Sequence, residues 1–304
     1  MSSWQGKSKG KPLGYKIFVF VLKIGGVLPA YLLLRIVTLY YVVFSFKSTK
    51  STLSYFHKRL KYGVIKSVYK VYINYNLLGQ TLIDKVVIMS GIPNKFTFNL
   101  DGIDNLHEIA AMQKGGLLLT AHIGNWETAR HLLQKIDARI NVVIFDGEDE
   151  GIKEYMESVT GKSHLNLIVI KDDISHIFQI SNALLNDELV CMPADRYLAS
   201  NKTITRKFLG ANARFPLGPF MLAAKFKVPV SFVYGMKEST FHYHFFASKI
   251  KEYPGLDNDA MAEQLITDFV DDMEVKVKPE DFINIVTFQD FYDYVISSSQ
   301  KELA

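Results

Sequence analysis

His122 closes the apolar run Leu117-Leu118-Leu119-Thr120-Ala121, and Glu127 follows across Ile123-Gly124-Asn125-Trp126. The run reads as a short buried strand, the Gly-Asn pair as a turn, and the residues after it as the opening of a helix. In an open α/β sheet, ligands collect at the carboxyl ends of the strands. An imidazole presented there and steadied by a carboxylate is suited to take a proton. The acid holds one tautomer and stabilises the imidazolium as it forms. No serine or cysteine flanks the pair, so the proton to be taken belongs to a substrate hydroxyl or amine. On spacing alone a second reading stands beside this one: a strand-end histidine bonded to backbone, with Glu127 an ordinary first-turn acid favoured by the helix dipole.

The elements that must position these residues alternate. Apolar runs of strand type occupy 117–121, 141–145, 165–170, 188–192 and 228–234, and 241–246 alternates like a further strand. Helices are expected over 127–136, around 147–160 and over 217–227. Asp173 should cap a helix with Ile174, Ile177, Phe178, Leu184 and Leu185 on one face. This order predicts an α/β fold, a central mostly parallel or mixed sheet flanked by helices. Met261, Leu265, Ile266, Phe269, Val270 and Met273 recur at helical spacing and read as a face packed on the sheet, with one wall of an apolar groove as the alternative.

A chain of 304 residues with 48% apolar and 22% charged residues is long enough for a sizeable core, and is neither disordered nor polytopic. Its net charge of +4 hides an asymmetry: residues 1–83 hold 13 Lys/Arg and no Asp or Glu, leaving 22 basic and 31 acidic residues in 84–304. The economical division is therefore a basic, apolar, membrane-associating helical region over 1–83 and a catalytic α/β domain over 84–304. Of the 30 residues 17–46, 23 are apolar and only Lys23 and Arg35 are charged, which points to an anionic membrane surface and not to nucleic acid. The charge-free runs 24–34 and 36–46 are eleven residues each, short of the ~20 that a span needs. Lysines lie on both sides (Lys7, Lys9, Lys11 and Lys16 before, Lys47, Lys50, Lys58 and Lys61 after), so orientation is not set by charge. Helices lying in the cytoplasmic leaflet, with Tyr15, Tyr31, Tyr40 and Tyr41 at the interface, fit best.

The single cysteine, Cys191, excludes an intramolecular disulfide and reads as a small buried residue. His242 and His244 share one strand face but lack a third ligand, so no metal is expected. His131 and His176 suggest nothing.

His122 to Glu127, with Asn125 and Trp126 between, resembles the H-x4-[DE] motif of the glycerolipid/lysophospholipid acyltransferase superfamily. The H-x-G-N-W-E form is similar to its bacterial lipid A biosynthesis (HtrB-like, lauroyl/myristoyl) branch. Pro193-Ala194-Asp195-Arg196-Tyr197, then Lys207-Phe208-Leu209-Gly210, then Phe215-Pro216-Leu217-Gly218-Pro219-Phe220 with Leu222-Ala223, resemble that branch's later blocks in the same order. Val228-Pro229-Val230 corresponds to the strand that follows. Pro279-Glu280-Asp281-Phe282 stands where the family often has P-E-Q-[WY].

The resemblance implies a membrane-bound transferase at the cytoplasmic face of a bacterial inner membrane. It would move an acyl chain from acyl carrier protein, or acyl-coenzyme A, to a lipid acceptor such as a lipid A precursor, with no cofactor and no metal. His122 would be the general base and Glu127 its orienting partner, with Asn125 ordering the turn. Asp195 and Arg196 would meet an acceptor or donor headgroup, and the Gly218 turn would admit a phosphate or the thioester oxygen. Arg206, Lys207 and Arg214 flank the glycine block as candidate phosphate ligands, with a solvated basic turn as the alternative. Two functions of other classes compete: a catalytically silent lipid-binding or assembly protein, and a hydrolase in which His122 activates water. The absence of a Gly-x-Ser-x-Gly elbow argues against a serine hydrolase.

Overall fold

The computed structural model of the chain describes residues 12–276, except 126–127, 129–132, 134–135, 146–153, 155–165, 172 and 198–200. Trp126, Glu127, the helices expected over 127–136 and 147–160, and the segment 279–282 therefore lie outside the described residues, wholly or in most of their length.

Seven strands form one sheet in the order β1-β9-β8-β2-β5-β3-β4. They are β1 (Thr97–Asp101), β2 (Gly116–Thr120), β3 (Ile140–Phe145), β4 (Asn166–Ile170), β5 (Leu189–Pro193), β8 (Val230–Ser239) and β9 (His242–Ala247). Every neighbouring pair is parallel except β8–β9, so the sheet is mixed, as the alternating pattern predicts. All five residues of β2 are buried. That burial on both faces is why β2 is an unbroken apolar run instead of an alternating one. Edge strand β1 is never buried along its length, and its sequence Thr-Phe-Asn-Leu-Asp alternates polar and apolar residues without an apolar run.

β6 (Thr203–Phe208) and β7 (Ala211–Pro216) form a separate antiparallel hairpin, joined by Leu209-Gly210. Both turn residues are left-handed, with φ of 49° and 73°, the twist a two-residue hairpin requires. Neither strand is among those expected from the sequence pattern.

The helices are α1 (Pro12–Gly25), α2 (Val27–Phe44), α3 (Phe46–Ser54), α4 (Val64–Ser90), α5 (Ile103–Ala111), α6 (Ser175–Leu185), α7 (Gly218–Phe226) and α8 (Asn258–Lys276). Met261, Leu265, Ile266, Phe269, Val270 and Met273 of α8 are all buried in the main core, with Phe269 edge-on to Phe220 and Phe232. In α6, Asp173 accepts the Ser175 N–H at 2.9 Å, but the buried face is Ile180, Ala183 and Leu184. Ile174, Phe178 and Leu185 are more than 60% exposed, a correction to the expected face. The helix is turned so that the side bearing His176, Ile180, Ala183 and Leu184 faces inward, and of the expected apolar face only Leu184 is buried.

α4 runs unbroken through position 84, so the boundary drawn there on charge falls inside a helix. Its partner is α2, which crosses it where Gly79 meets Leu34. A Cβ on Gly79 would lie 2.3 Å from a Leu34 methyl, so glycine sets the closeness of that crossing. α2 buries Val27, Ala30, Tyr31, Leu34 and Thr38, while Leu28, Leu32, Ile36, Leu39 and Val43 on its other side are all more than half exposed. By length and composition α2 is apolar enough to cross a membrane.

Candidate active site

β2 and β5 are adjacent and parallel, with Thr120 opposite Pro193. Two residues beyond each of these come His122 and Asp195, so parallel register alone brings the two side chains to the same strand-end ledge. Two hydrogen bonds join them. The Asp195 Oδ2 accepts the backbone N–H of His122 at 2.9 Å, and Oδ1 lies 2.8 Å from His122 Nδ1. The strand ends are tied as well, Ala194 N–H donating to Thr120 O at 2.8 Å.

Asp195 is buried, whereas the His122 side chain keeps 18% of its surface. Burial works to raise the Asp195 carboxyl. The His122 charge and hydrogen bonds, with the Arg196 guanidinium, outweigh it and hold the group below the usual carboxylate range. An ionised Asp195 accepts the proton on Nδ1, which leaves the lone pair of the imidazole on Nε2. This is the electronic arrangement of a general base, supplied by a carboxylate 73 positions away in sequence. Sequence reasoning singled out Asp195 but gave it to a headgroup. The same strand-end logic applied to His122 would have flagged it, because Asp195 follows the apolar strand Leu189–Pro193.

The turn after His122 is built by close approach to β8. Gly124 has φ of 68°, and a Cβ there would fall 2.0 Å from the Gly235 carbonyl oxygen. That carbonyl accepts the Asn125 N–H at 2.6 Å. Gly235 is itself confined, its absent Cβ pointing at Phe245 and the Asn125 oxygen. Gly124→Ala combines a left-handed alanine with a backbone clash. It is expected to destabilise the protein by on the order of 3 kcal/mol, measurable by urea unfolding, and to reduce activity beyond the loss of folded protein.

Asn125 is buried. Its Nδ2 donates to the Thr81 carbonyl and to Tyr243 Oη, each at 3.2 Å, and its Oδ1 accepts the Thr128 N–H. These bonds tie the turn to α4 and β9, and they leave Asn125 placed to order the turn, not presented to substrate.

Arg196 follows Asp195 on the same ledge. Arg214 of β7 reaches it from the hairpin, hydrogen-bonding Tyr197, whose hydroxyl is raised by burial against the opposing Arg214 charge. Lys207 and Arg214 are exposed on one face of the hairpin, set by the pairings Lys207↔Asn212 and Thr205↔Arg214. Arg206 points the other way and pairs with Glu263 of α8. Gly218 opens α7 at an exposed position with space where a Cβ would stand. Cys191 is buried in β5. His244 sits between Glu238 and Asp101, at 2.8 and 2.9 Å, and His242 Nδ1 is 2.7 Å from the Thr97 hydroxyl. Among the described residues no group of three or more metal-ligating side chains converges.

A carboxylate-backed histidine at the strand ends of a mixed α/β sheet is an arrangement suited to proton abstraction. The chain belongs to the family described as bacterial lipid A biosynthesis acyltransferase, whose sequence profile matches residues 71–286. It is therefore an acyltransferase of that family. No curated protein sequence matches the chain significantly. Among solved structures, the crystal structure of the 1-acyl-sn-glycerophosphate (LPA) acyltransferase PlsC from Thermotoga maritima is similar at 12% identity and a TM-score of 0.35, over 82% of this chain and 97% of that one. A likeness of that size carries no argument about activity.

Proposed function

We propose that the protein transfers a fatty acyl chain from the thioester of acyl carrier protein, or of acyl-coenzyme A, to a hydroxyl or amine of a lipid acceptor, a lipid A precursor being the family's own example. His122 Nε2 takes the acceptor proton as the acceptor oxygen or nitrogen bonds to the thioester carbonyl carbon. When the tetrahedral intermediate collapses, the carbon–sulfur bond breaks and the imidazolium returns its proton to the leaving thiolate. The chemistry needs a base, donors for the oxyanion and exclusion of water; a protein nucleophile is optional.

The observation that carries this reading is the pair of hydrogen bonds from Asp195 to the ring and backbone of His122. Asp195 is accordingly the acid assigned to orient the base. Glu127, which the family resemblance puts in that role, lies outside the described residues. Arg196 beside Asp195, Arg214 bonded to Tyr197, and Lys207 on the same hairpin face as Arg214 offer guanidinium and ammonium groups for anionic headgroups or the donor's phosphates. The outward apolar stripe of α2, and lysines without nearby acids in sequence, support seating on an anionic membrane at the cytoplasmic face of the inner membrane.

The test is a mass-spectrometric comparison of lipids from cells carrying the wild-type protein, none, or His122→Ala. A species one acyl chain heavier, present only with wild type, is expected, and its headgroup fragment identifies the acceptor. Accumulation of free fatty acid without an acylated product would instead make the protein a hydrolase. Identical profiles from all three would refute acylation of a bulk lipid.

A further inference from the structure

Two opposite charges are buried together away from the strand-end ledge. Asp84 of α4 has none of its surface exposed and Lys237 of β8 only 2%. They form an ion pair, and Lys237 Nζ also donates to Tyr31 Oη of α2 at 2.7 Å. Tyr31 donates its hydroxyl to Asp84 Oδ1, and Tyr243 of β9 donates to Asp84 Oδ2 at 2.5 Å. Tyr243 is the cross-strand neighbour of Lys237. The ammonium also stands 4.9 to 5.7 Å from the ring centroids of Tyr31, Tyr243 and Phe96.

Burial pushes the Asp84 carboxyl up and the Lys237 ammonium down, and each charge opposes the shift of the other. Such a pair is a poor source of stability, since well-packed apolar residues of like volume often do as well or better. What it does supply is a fixed direction for every hydrogen bond it makes. With the Tyr243 proton committed to Asp84, the Tyr243 oxygen can only accept, and it accepts from Asn125 Nδ2 at 3.2 Å. Asn125 begins three residues after His122, and its main-chain N–H is held by Gly235, two residues before Lys237. The turn bearing the base is thus gripped from two sides by the strand that carries the lysine and by the helix that carries the aspartate.

We propose that Asp84, Lys237 and Tyr243 are positioning residues for the acyl-transfer site, a buried relay that locks the Asn125 turn and so the placement of His122. The relay also includes Tyr31, on the buried side of the helix whose outer side is the proposed membrane face. It therefore joins the membrane-seating helices to the base. This inference rests on the acyl-transfer reading for its kinetic consequence, but its structural consequence is independent of it.

The decisive variant is Tyr243→Phe, which removes one oxygen and leaves the ring packing in place. Full-length protein is assayed for thiol released from lauroyl-coenzyme A and from lauroyl-acyl carrier protein, with a total lipid extract of the cells as acceptor. Hydrogen exchange is followed in parallel at 121–125 and at β2. Loss of one such hydrogen bond predicts a roughly tenfold fall in kcat with KM for the thioester unchanged, and a roughly tenfold faster exchange in the turn with β2 unaffected. Lys237→Met, scored per folded molecule, should lose at least as much kcat. A Tyr243→Phe protein with wild-type kcat and wild-type exchange at 121–125 would overturn the relay. So would a loss confined to KM or accounted for by unfolded protein. A wild type that releases no thiol from either donor would overturn the acyl-transfer reading instead, and the exchange data alone would then decide the relay.

Discussion

Replacing His122 with alanine is expected to lower acyl transfer by about 10²–10⁴-fold, the usual contribution of a positioned general base, while folding and membrane binding persist. The fold should tolerate the change because the imidazole is partly exposed and lies past the end of β2, outside the apolar clusters that hold the sheet. Asp195 keeps its bond to the residue-122 backbone N–H, so the buried carboxylate retains one partner in the variant. The quantities to measure are initial rates at saturating thioester and the melting temperature. A His122→Ala enzyme within threefold of wild type would remove His122 from the mechanism.

Asp195→Asn is expected to be nearly as damaging, for a geometric reason. The carboxylate accepts two hydrogen bonds at once, from the His122 backbone N–H and from Nδ1–H. An amide has one acceptor and one donor end. If its oxygen keeps the backbone N–H, its NH₂ group faces Nδ1 and forces the proton onto Nε2, where the base should be. If its oxygen takes Nδ1–H, the NH₂ group is pressed against the backbone donor. A carboxylate-to-amide change behind a catalytic imidazole costs about 10⁴-fold in a Ser-His-Asp triad, through the wrong tautomer. A loss on the order of 10³-fold or more is expected here, chiefly in kcat.

The pH dependence carries a sign that can be checked. Burial works to raise the Asp195 carboxyl, but the charge and hydrogen bonds of His122 outweigh it and hold the group below the usual carboxylate range. The stability linked to Asp195 is fully present above the unfolded carboxylate value of ~3.9 and is lost as pH falls through the lower folded value. Asp195→Asn should flatten that acid loss in a urea series.

Much of the sheet was legible because its strands are buried on both faces and announce themselves as apolar runs bounded by turns. β2, β3, β4, β5, β8 and β9 were all read within about two residues at their starts. β1 escaped because an edge strand with exposed Thr97, Asn99 and Asp101 has no such run. β6 and β7 escaped because their half-exposed surfaces, and a turn whose first left-handed residue is Leu209, hide the hairpin. α6 was found, but its buried side was misread, since Ile174, Ile177, Phe178 and Leu185 repeat at helical spacing while the packing covers the side of Ile180, Ala183 and Leu184.

The sequence by itself determined the alternation that makes an α/β fold, the basic and apolar character of 1–83, and the strand-end histidine with its Gly-Asn turn. Each of these is local, carried by residue type and spacing within some twenty positions. Only the tertiary structure brings Asp195 to His122, because the pairing of β2 with β5 sets the two side by side across 73 positions. It also decided the partnership of Asp84 with Lys237, 153 positions apart, in a helix that passes straight through the boundary suggested by charge. Register and burial couple residues at such distances, and a single chain's pattern carries no record of them.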